Sequence, residues 1–198
     1  MRAGARDEQT VKIIIGISGA SGSVYGVRLL ERLRAIEGVE LHLVWTRSGE
    51  KTLFLETGKR LADIRAMAHH SYSPEDIAAR LASGSYPIDA MVVAPCSIHT
   101  MSAIANGITD NLLTRAADVT LKERRKLILM VRESPLHLGH LRTMTALAEM
   151  GAIVAPPVPG FYHHPQTVME LVDHSLDRVL DQLGLPDAAI RRWQGAGQ

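Results

Sequence analysis

The stretch Val11-Lys12-Ile13-Ile14-Ile15-Gly16-Ile17-Ser18-Gly19-Ala20-Ser21-Gly22-Ser23 decides the fold. Val11 to Ile17 is apolar and β-branched nearly throughout, the pattern of a strand buried on both faces of a parallel sheet. Gly19-Ala20-Ser21-Gly22 then turns the chain. From Ser23 the apolar residues Val24, Val27, Leu29, Leu30 and Leu33 recur at helical spacing, and Gly38 marks a stop. A strand, a glycine turn and a helix in that order aim backbone N–H groups and a helix N-terminus above the sheet, where small side chains let a phosphate approach. The Ser21 hydroxyl adds a further donor. The same glycines also suit a purely structural bend, and the turn alone leaves both readings open. Gly16, Gly19 and Gly22 miss the G-x-G-x-x-G spacing, and Trp45-Thr46-Arg47 lacks the acid that would hold an NAD ribose. A mononucleotide is therefore favoured over a dinucleotide.

Outward from this unit, strands and helices alternate. Val39 to Trp45 reads as a strand and Glu50 to Thr57 as a short helix; Asp63 to Ala68 and Pro74 to Leu81 read as helical pieces. Ser83-Gly84-Ser85 turns into the strand Ala90 to Ala94, which stops at Pro95. Ser97 caps a helix through Ala105, and Thr109 or Asp110 caps another to about Arg124. Leu127 to Val131 is a strand, Leu138 to Met150 a helix, Ala152 to Ala155 a short strand and Gln166 to Leu183 a final amphipathic helix. The pattern predicts an α/β fold with a doubly wound parallel sheet, a three-layer Rossmann-like or flavodoxin-like arrangement. Ligands of such sheets bind at the carboxyl ends of the strands. That rule gathers Gly19, Ala20, Ser21, Thr46, Arg47, Cys96, Ser97, Thr100, Arg132 and Glu133 into one candidate site, rich in the groups that bind phosphate and ribityl oxygens.

The chain of 198 residues fits one domain, read as 11–195 behind a disordered tail of residues 1–10. With 22 basic and 21 acidic residues it has no general pull toward nucleic acid or anionic membrane. Aromatic residues make up 4% of the chain, too few for a base-stacking surface. No apolar run approaches the ~20 residues of a membrane span. One cysteine, no signal peptide and no anchor place the chain in the cytoplasm by default. Cys96 reads as a packing residue, since no basic partner adjoins it. His137 with His140, and His163 with His164, lack a third ligand at metal-site spacing, so no metal is expected. Arg115 and Lys122 stand two helical turns apart on one face, able to converge on one anion. A dipole-matched, solvated helix end is the alternative.

The chain from Lys12 to about Gly195 resembles the flavin prenyltransferase family, the UbiX type. The likeness rests on Gly16-Ile17-Ser18-Gly19-Ala20-Ser21-Gly22, Leu55-Glu56-Thr57, Pro95-Cys96-Ser97, and Arg115-Ala116-Ala117-Asp118 with Leu121-Lys122-Glu123-Arg124-Arg125. Further on come Arg132-Glu133-Ser134-Pro135-Leu136-His137-Leu138-Gly139-His140-Leu141 and Pro156-Pro157-Val158-Pro159-Gly160-Phe161-Tyr162-His163. The resemblance implies transfer of a dimethylallyl group from dimethylallyl phosphate to N5 and C6 of reduced FMN. The product, prenylated FMN, is the cofactor of a partner decarboxylase of the UbiD type, in ubiquinone synthesis or aromatic acid metabolism. It also implies a homododecamer with active sites between subunits and no metal. Flavin contacts are implied at Gly19, Ala20, Ser21, Thr46, Ser97, Ile98, His99, Thr100 and Arg132. Prenyl-phosphate contacts are implied at Lys122, Tyr162 and Arg178, with Arg115 and Ser21 as additions. Glu56 and Glu133 match the family's active-site acids. Thr46 departs from the serine of many relatives but keeps the hydroxyl. Two rivals remain from the sequence: an FMN-dependent oxidative cysteine decarboxylase, and an FMN-binding accessory subunit of a hydroxyarylic-acid decarboxylase.

Overall fold

The computed structural model describes residues 10–185. Most of the expected tail, residues 1–9, and the last part of the expected domain, residues 186–195, lie outside the described residues. The elements run β1 (Val11–Ile17), α1 (Ser23–Arg34), β2 (Val39–Trp45), α2 (Arg47–Thr57), α3 (Leu61–Arg65), β3 (His70–Tyr72), β4 (Ala90–Cys96), α4 (Ile98–Ala105), α5 (Leu112–Lys122), β5 (Lys126–Val131), α6 (Leu138–Glu149), β6 (Ile153–Val154) and α7 (Val168–Leu183). The strands pair in parallel in the order β3-β2-β1-β4-β5-β6. This is the doubly wound order, and without the three-residue β3 it is the flavodoxin-like order. The chain reverses direction across the sheet between β1 and β4, so the switch point lies at their carboxyl ends.

Alternation along β1 divides the core. Ile13, Ile15 and Ile17 pack with Leu29, Leu30 and Leu33 of α1 and Val172, Leu176 and Leu180 of α7. Ile14 faces the other layer, among Met101 and Ile104 of α4 and Leu112, Leu113 and Ala116 of α5. Both faces of the sheet are thus covered, which is why the central strands read as continuous apolar runs. Each fully buried Leu or Ile contributes roughly 1.5–3 kcal/mol.

Local chemistry explains where the elements differ from expectation. The β3 strand has polar residues and no apolar alternation; it exists because His70 to Tyr72 pair with His42 to Val44 of β2. Pro74 to Leu81 forms no α-helix. Pro74 and Leu81 are buried at its two ends, but Ile77 between them is exposed, so no continuous apolar stripe forms, and only turns and a single 3-10 turn at Arg80–Ala82 are made. The β4 strand continues through Pro95, whose missing N–H is tolerated because the register with β5 shifts between Val93 and Cys96. Asn111, rather than Thr109 or Asp110, caps α5 through its side chain. Thr46 caps α2, which starts three residues earlier than Glu50, and Thr167 caps α7.

Helix α1 lies on β4 with almost no clearance. A Cβ at Gly26 would stand 2.2 Å from the Ala94 carbonyl oxygen, a backbone atom with no freedom to yield. Gly26→Ala is expected to lower the unfolding free energy by about 3 kcal/mol, read from urea denaturation.

Candidate functional site

At the switch point each strand end is tied to the next. The buried Ser18 hydroxyl donates to the Pro95 carbonyl and accepts from the Ser97 N–H, both at 2.8 Å. The Thr46 N–H donates to the Ile17 carbonyl at 2.9 Å, and the Arg132 N–H to the Cys96 carbonyl at 3.1 Å. The carboxyl ends of β1, β2, β4 and β5 therefore form one hydrogen-bonded rim. Two helices start on it. Ser97 Oγ accepts from the Thr100 N–H and donates to Thr100 Oγ1, capping α4. Thr46 Oγ1 accepts from the Gly49 N–H, capping α2.

Above the rim opens a cleft of about 520 Å³. Gly19, Thr46, Ser48, Ser97, His99 and Thr100 line one side, and Arg47, Pro74, Glu75, Asp110 and Asn111 complete it. Its size suits a small organic ligand. A Cβ at Gly19 would come within 2.4 Å of Ser48 Cβ, so this wall tolerates glycine alone. Two helix N-termini and several hydroxyls converge there, the environment that holds an anion by fixed dipoles and donors. Of the expected flavin contacts, Gly19, Thr46, Ser97, His99 and Thr100 meet in this cleft. Ala20 is buried beside it in sequence, Ile98 packs on the core below α4, and Arg132 stands exposed after β5. Ser48, Pro74, Glu75, Asp110 and Asn111 are lining residues that the sequence reading missed.

The N-terminus of α1 has a different occupant from the cofactor phosphate expected there. Glu56, at the end of α2, accepts from the Gly22 N–H at 2.9 Å and the Ser23 N–H at 2.8 Å. Partial burial pushes its carboxyl up, but donors from Ser21, Ser23 and Gly22 outweigh that and hold it below its ordinary value. The turn's last two amides thus carry an anion supplied by the chain itself, and Ser21 is bound to that anion.

The remaining expected residues lie in separate places within one chain. Lys122, ion-paired with Glu123, ends a helix that begins at the cleft, ~15 Å of helix away. Arg115 does not converge with it: its Nε donates to the Ala82 carbonyl and its guanidinium pairs with Asp118 at 2.7 Å. Tyr162 Oη lies 2.8 Å from His174 Nε2, and Arg178, one turn on along α7, lines a groove of about 200 Å³ at the β6 edge and pairs with Asp181. Glu133 is exposed and accepts from the Ser134 N–H. Cys96 is fully buried, and burial pushes its thiol up, as a packing residue requires. His137 caps α6 with its Nδ1.

A family model described as Flavoprotein matches residues 1–179. Flavin prenyltransferase UbiX of Salmonella typhimurium is 54% identical over 187 residues, 93% of this chain and 99% of that one. Among solved structures, a dodecameric FMN-dependent UbiX-like decarboxylase from Escherichia coli O157:H7 superposes with TM-score 0.92 at 48% identity, covering 93% of this chain and 100% of its own. AnUbiX (PadA1), solved in complex with FMN and dimethylallyl pyrophosphate, superposes with TM-score 0.92 at 40% identity, covering 94% of this chain and 99% of its own.

Two outcomes follow for the rim. Ser18→Ala leaves the buried Ser97 N–H without its acceptor and is expected to lower stability by about 1–3 kcal/mol in urea titration. Glu56 is depressed in the folded state, so its contribution is full above its ordinary 4.5 and is lost as pH falls below that. The stability advantage of wild type over Glu56→Gln should therefore be constant near neutrality and shrink in acid, as followed by thermal melts across pH.

Proposed function

The chain belongs to the flavoprotein family and, within it, to the flavin prenyltransferases, and on that footing we propose that it transfers a dimethylallyl group from dimethylallyl phosphate to reduced FMN, forming prenylated FMN. The observation that carries this reading is the cleft over β1 and β4, where the capped N-termini of α2 and α4 meet around Gly19. Its hydroxyl and helix-terminus donors fit a flavin phosphate and ribityl chain, and its volume fits one mononucleotide. Thr46, Ser97, Thr100 and His99 hold the flavin there, with Gly19 giving close approach and Ala20, Ile98 and Arg132 completing the contacts. Bound and reduced, FMN supplies the nucleophilic N5 and C6.

The chain's own residues supply the rest. Lys122, Tyr162, Arg178 and Arg115 hold the prenyl phosphate, and their positive charge and donors stabilise the negative charge that grows on it as the carbon–oxygen bond breaks. Ser21, bound to Glu56, sits between flavin and phosphate; Glu56 orients that hydroxyl and positions the prenyl donor. Exclusion of water protects the allyl group from hydrolysis. A carboxylate oxygen of Glu133 takes the proton released at flavin C6 when the new ring closes. Lys122 stands at the amino-terminal end of the strands, opposite the cleft, so the phosphate site is assembled from more than one copy, in a homo-oligomer of dodecamer type. The catalytic unit is one domain over 11–195, cytoplasmic, and its product passes to a UbiD-type decarboxylase. Among the described residues no helix is long and apolar enough to cross a membrane.

Anaerobic incubation of the pure protein with FMN, reductant and dimethylallyl phosphate is expected to give a flavin heavier by one prenyl unit in mass spectrometry. Unmodified FMN alone would refute the transferase and favour the accessory-subunit or cysteine-decarboxylase reading. For the shared site, Ser21→Ala and Lys122→Ala are each expected to reduce turnover by about 100-fold, the scale of losing one oriented donor. Co-assembled, the two variants should regain part of the activity, because some sites then draw both native residues from different copies. Mixed oligomers with no recovery would place Ser21 and Lys122 of one chain in the same site.

A further inference from the structure

The β2–β3 edge of the sheet carries a second cluster of polar side chains that the cleft does not use. Glu40 and His42 are two residues apart on β2 and so share a face, and His42 pairs in register with His70 of β3. His42 is wholly buried, with its ring stacked on His70 at 4.9 Å. Its Nδ1 lies 3.0 Å from the Tyr72 hydroxyl. Its Nε2 is 3.0 Å from Glu40 Oε1 and yet has no partner in hydrogen-bonding geometry. His70 Nε2 approaches the same Glu40 oxygen at 3.2 Å. Four residues of strand, ~13 Å, separate His42 from Thr46 of the cleft.

A buried ring nitrogen set beside a carboxylate oxygen, off the line of any N–H bond, is a costly arrangement unless something positive lies between the two. Two ligands bonded at ~2.0–2.1 Å to one tetrahedral ion stand about 3.3 Å apart, each off the other's axis. The 3.0 Å and 3.2 Å separations at Glu40 Oε1 have that spacing, and the three ligand atoms all lie within 4.8 Å of one another. We propose that Glu40, His42 and His70 form a divalent-cation site of zinc type, with two imidazole nitrogens and one carboxylate oxygen on the ion and water on the open side.

The surroundings fit this donor set. With Nε2 on the ion, the Nδ1–H of His42 faces the Tyr72 hydroxyl at 3.0 Å, the usual second contact of a metal-binding histidine. Glu40 and His70 are part-exposed, giving the ion a path in and a place for water. Lys12 and Arg80, each over the Tyr86 ring, bring positive charge to the same pocket and weaken the site relative to the bare ligands. The ion ties β3 to β2, and β3 runs directly into Pro74 and Glu75 of the cleft wall. Its role is to fasten that wall; prenyl transfer needs no metal.

The test is titration of the chelator-treated full chain with Co²⁺, read from the visible absorption of the tetrahedral ion, and with Zn²⁺ by calorimetry. One equivalent per chain is expected. H70N and E40Q should bind at least about 10-fold more weakly, and Tyr72→Phe about 10-fold more weakly. Zn²⁺ should raise the melting temperature of wild type but not of E40Q, a variant of a part-exposed side chain that keeps the buried histidine. H140N, which alters the separate stacked pair His137–His140, should bind as wild type does. Absence of stoichiometric uptake by wild type would overturn the proposal. So would undiminished binding in both E40Q and H70N, or a loss confined to H140N.

Discussion

The hydroxyl of Ser18 holds the arrangement on which the rest depends. Beyond Gly16 and Val93 the regular ladder between β1 and β4 ends, and one backbone bond, from the Ser18 N–H to the Pro95 carbonyl at 3.2 Å, continues it. The Ser18 hydroxyl, itself buried, strengthens that tie by donating to Pro95 and accepting from Ser97. Ser97 is also the N-cap of α4, so one buried hydroxyl fixes both the strand end and the direction in which a helix N-terminus faces the cleft. Gly26 allows α1 to press on the Ala94 carbonyl directly before Pro95, and Gly49 lets α2 approach the Ile17 carbonyl at a distance where a Cβ would stand 2.5 Å away. Small residues and one hydroxyl thus set the rim to within tenths of an ångström, the tolerance that a preorganised donor set requires.

Three helix N-termini meet near this rim, but they are not equivalent. That of α1 is bound by the Glu56 carboxylate, whereas those of α2 and α4 are capped by neutral hydroxyls; α2 has Glu50 in its first turn, and α4 has no acid there. An anion therefore gains more at α4 than at the glycine turn. The turn does something else: it fixes a carboxylate against the Ser21 hydroxyl, and a bound carboxylate orients that hydroxyl as a donor or acceptor of defined direction.

The core was legible in the sequence because a run such as Ile13-Ile14-Ile15 is stable only when a sheet is covered on both faces. The capping serine was legible from its type and position, since Ser97 follows a strand and opens a helix; Thr46 was legible only as a strand-end hydroxyl, because the helix was expected from Glu50 and not from Arg47. Ser48, Pro74, Glu75, Asp110 and Asn111 left no such mark. Pro74 and Glu75 reach the cleft only because the polar strand His70 to Tyr72 pairs at the sheet edge, and pairing between polar residues has no hydrophobic period to betray it. The grip of Glu56 on Gly22 and Ser23 spans more than thirty residues and likewise has no local signature. The resemblance supplied Glu56 as a functional acid; geometry supplied the amides that it binds.

On the proposed reading, three of the separated active-site residues, Glu56, Glu133 and Tyr162, share one property: apolar surface lies open beside each of them. Phe54 and Leu55 precede Glu56, Leu136 and Leu138 follow Glu133, and Phe161 adjoins Tyr162, all with more than a third of their surface exposed. Helix α6 buries only Leu147 and leaves Leu138 and Leu141 to solvent. Water penalises such clusters in a monomer, and their contact with other copies relieves the penalty at about 25 cal/mol per Å² of apolar area. Because the apolar residues flank the polar ones in sequence, any contact that covers the former carries the latter into the interface. On that reading burial brings Tyr162, Glu56 or Glu133 of one copy to the surface of another and removes the water that would weaken a hold on phosphate. Assembly and completion of the active site are in this way one event, driven by the same surface.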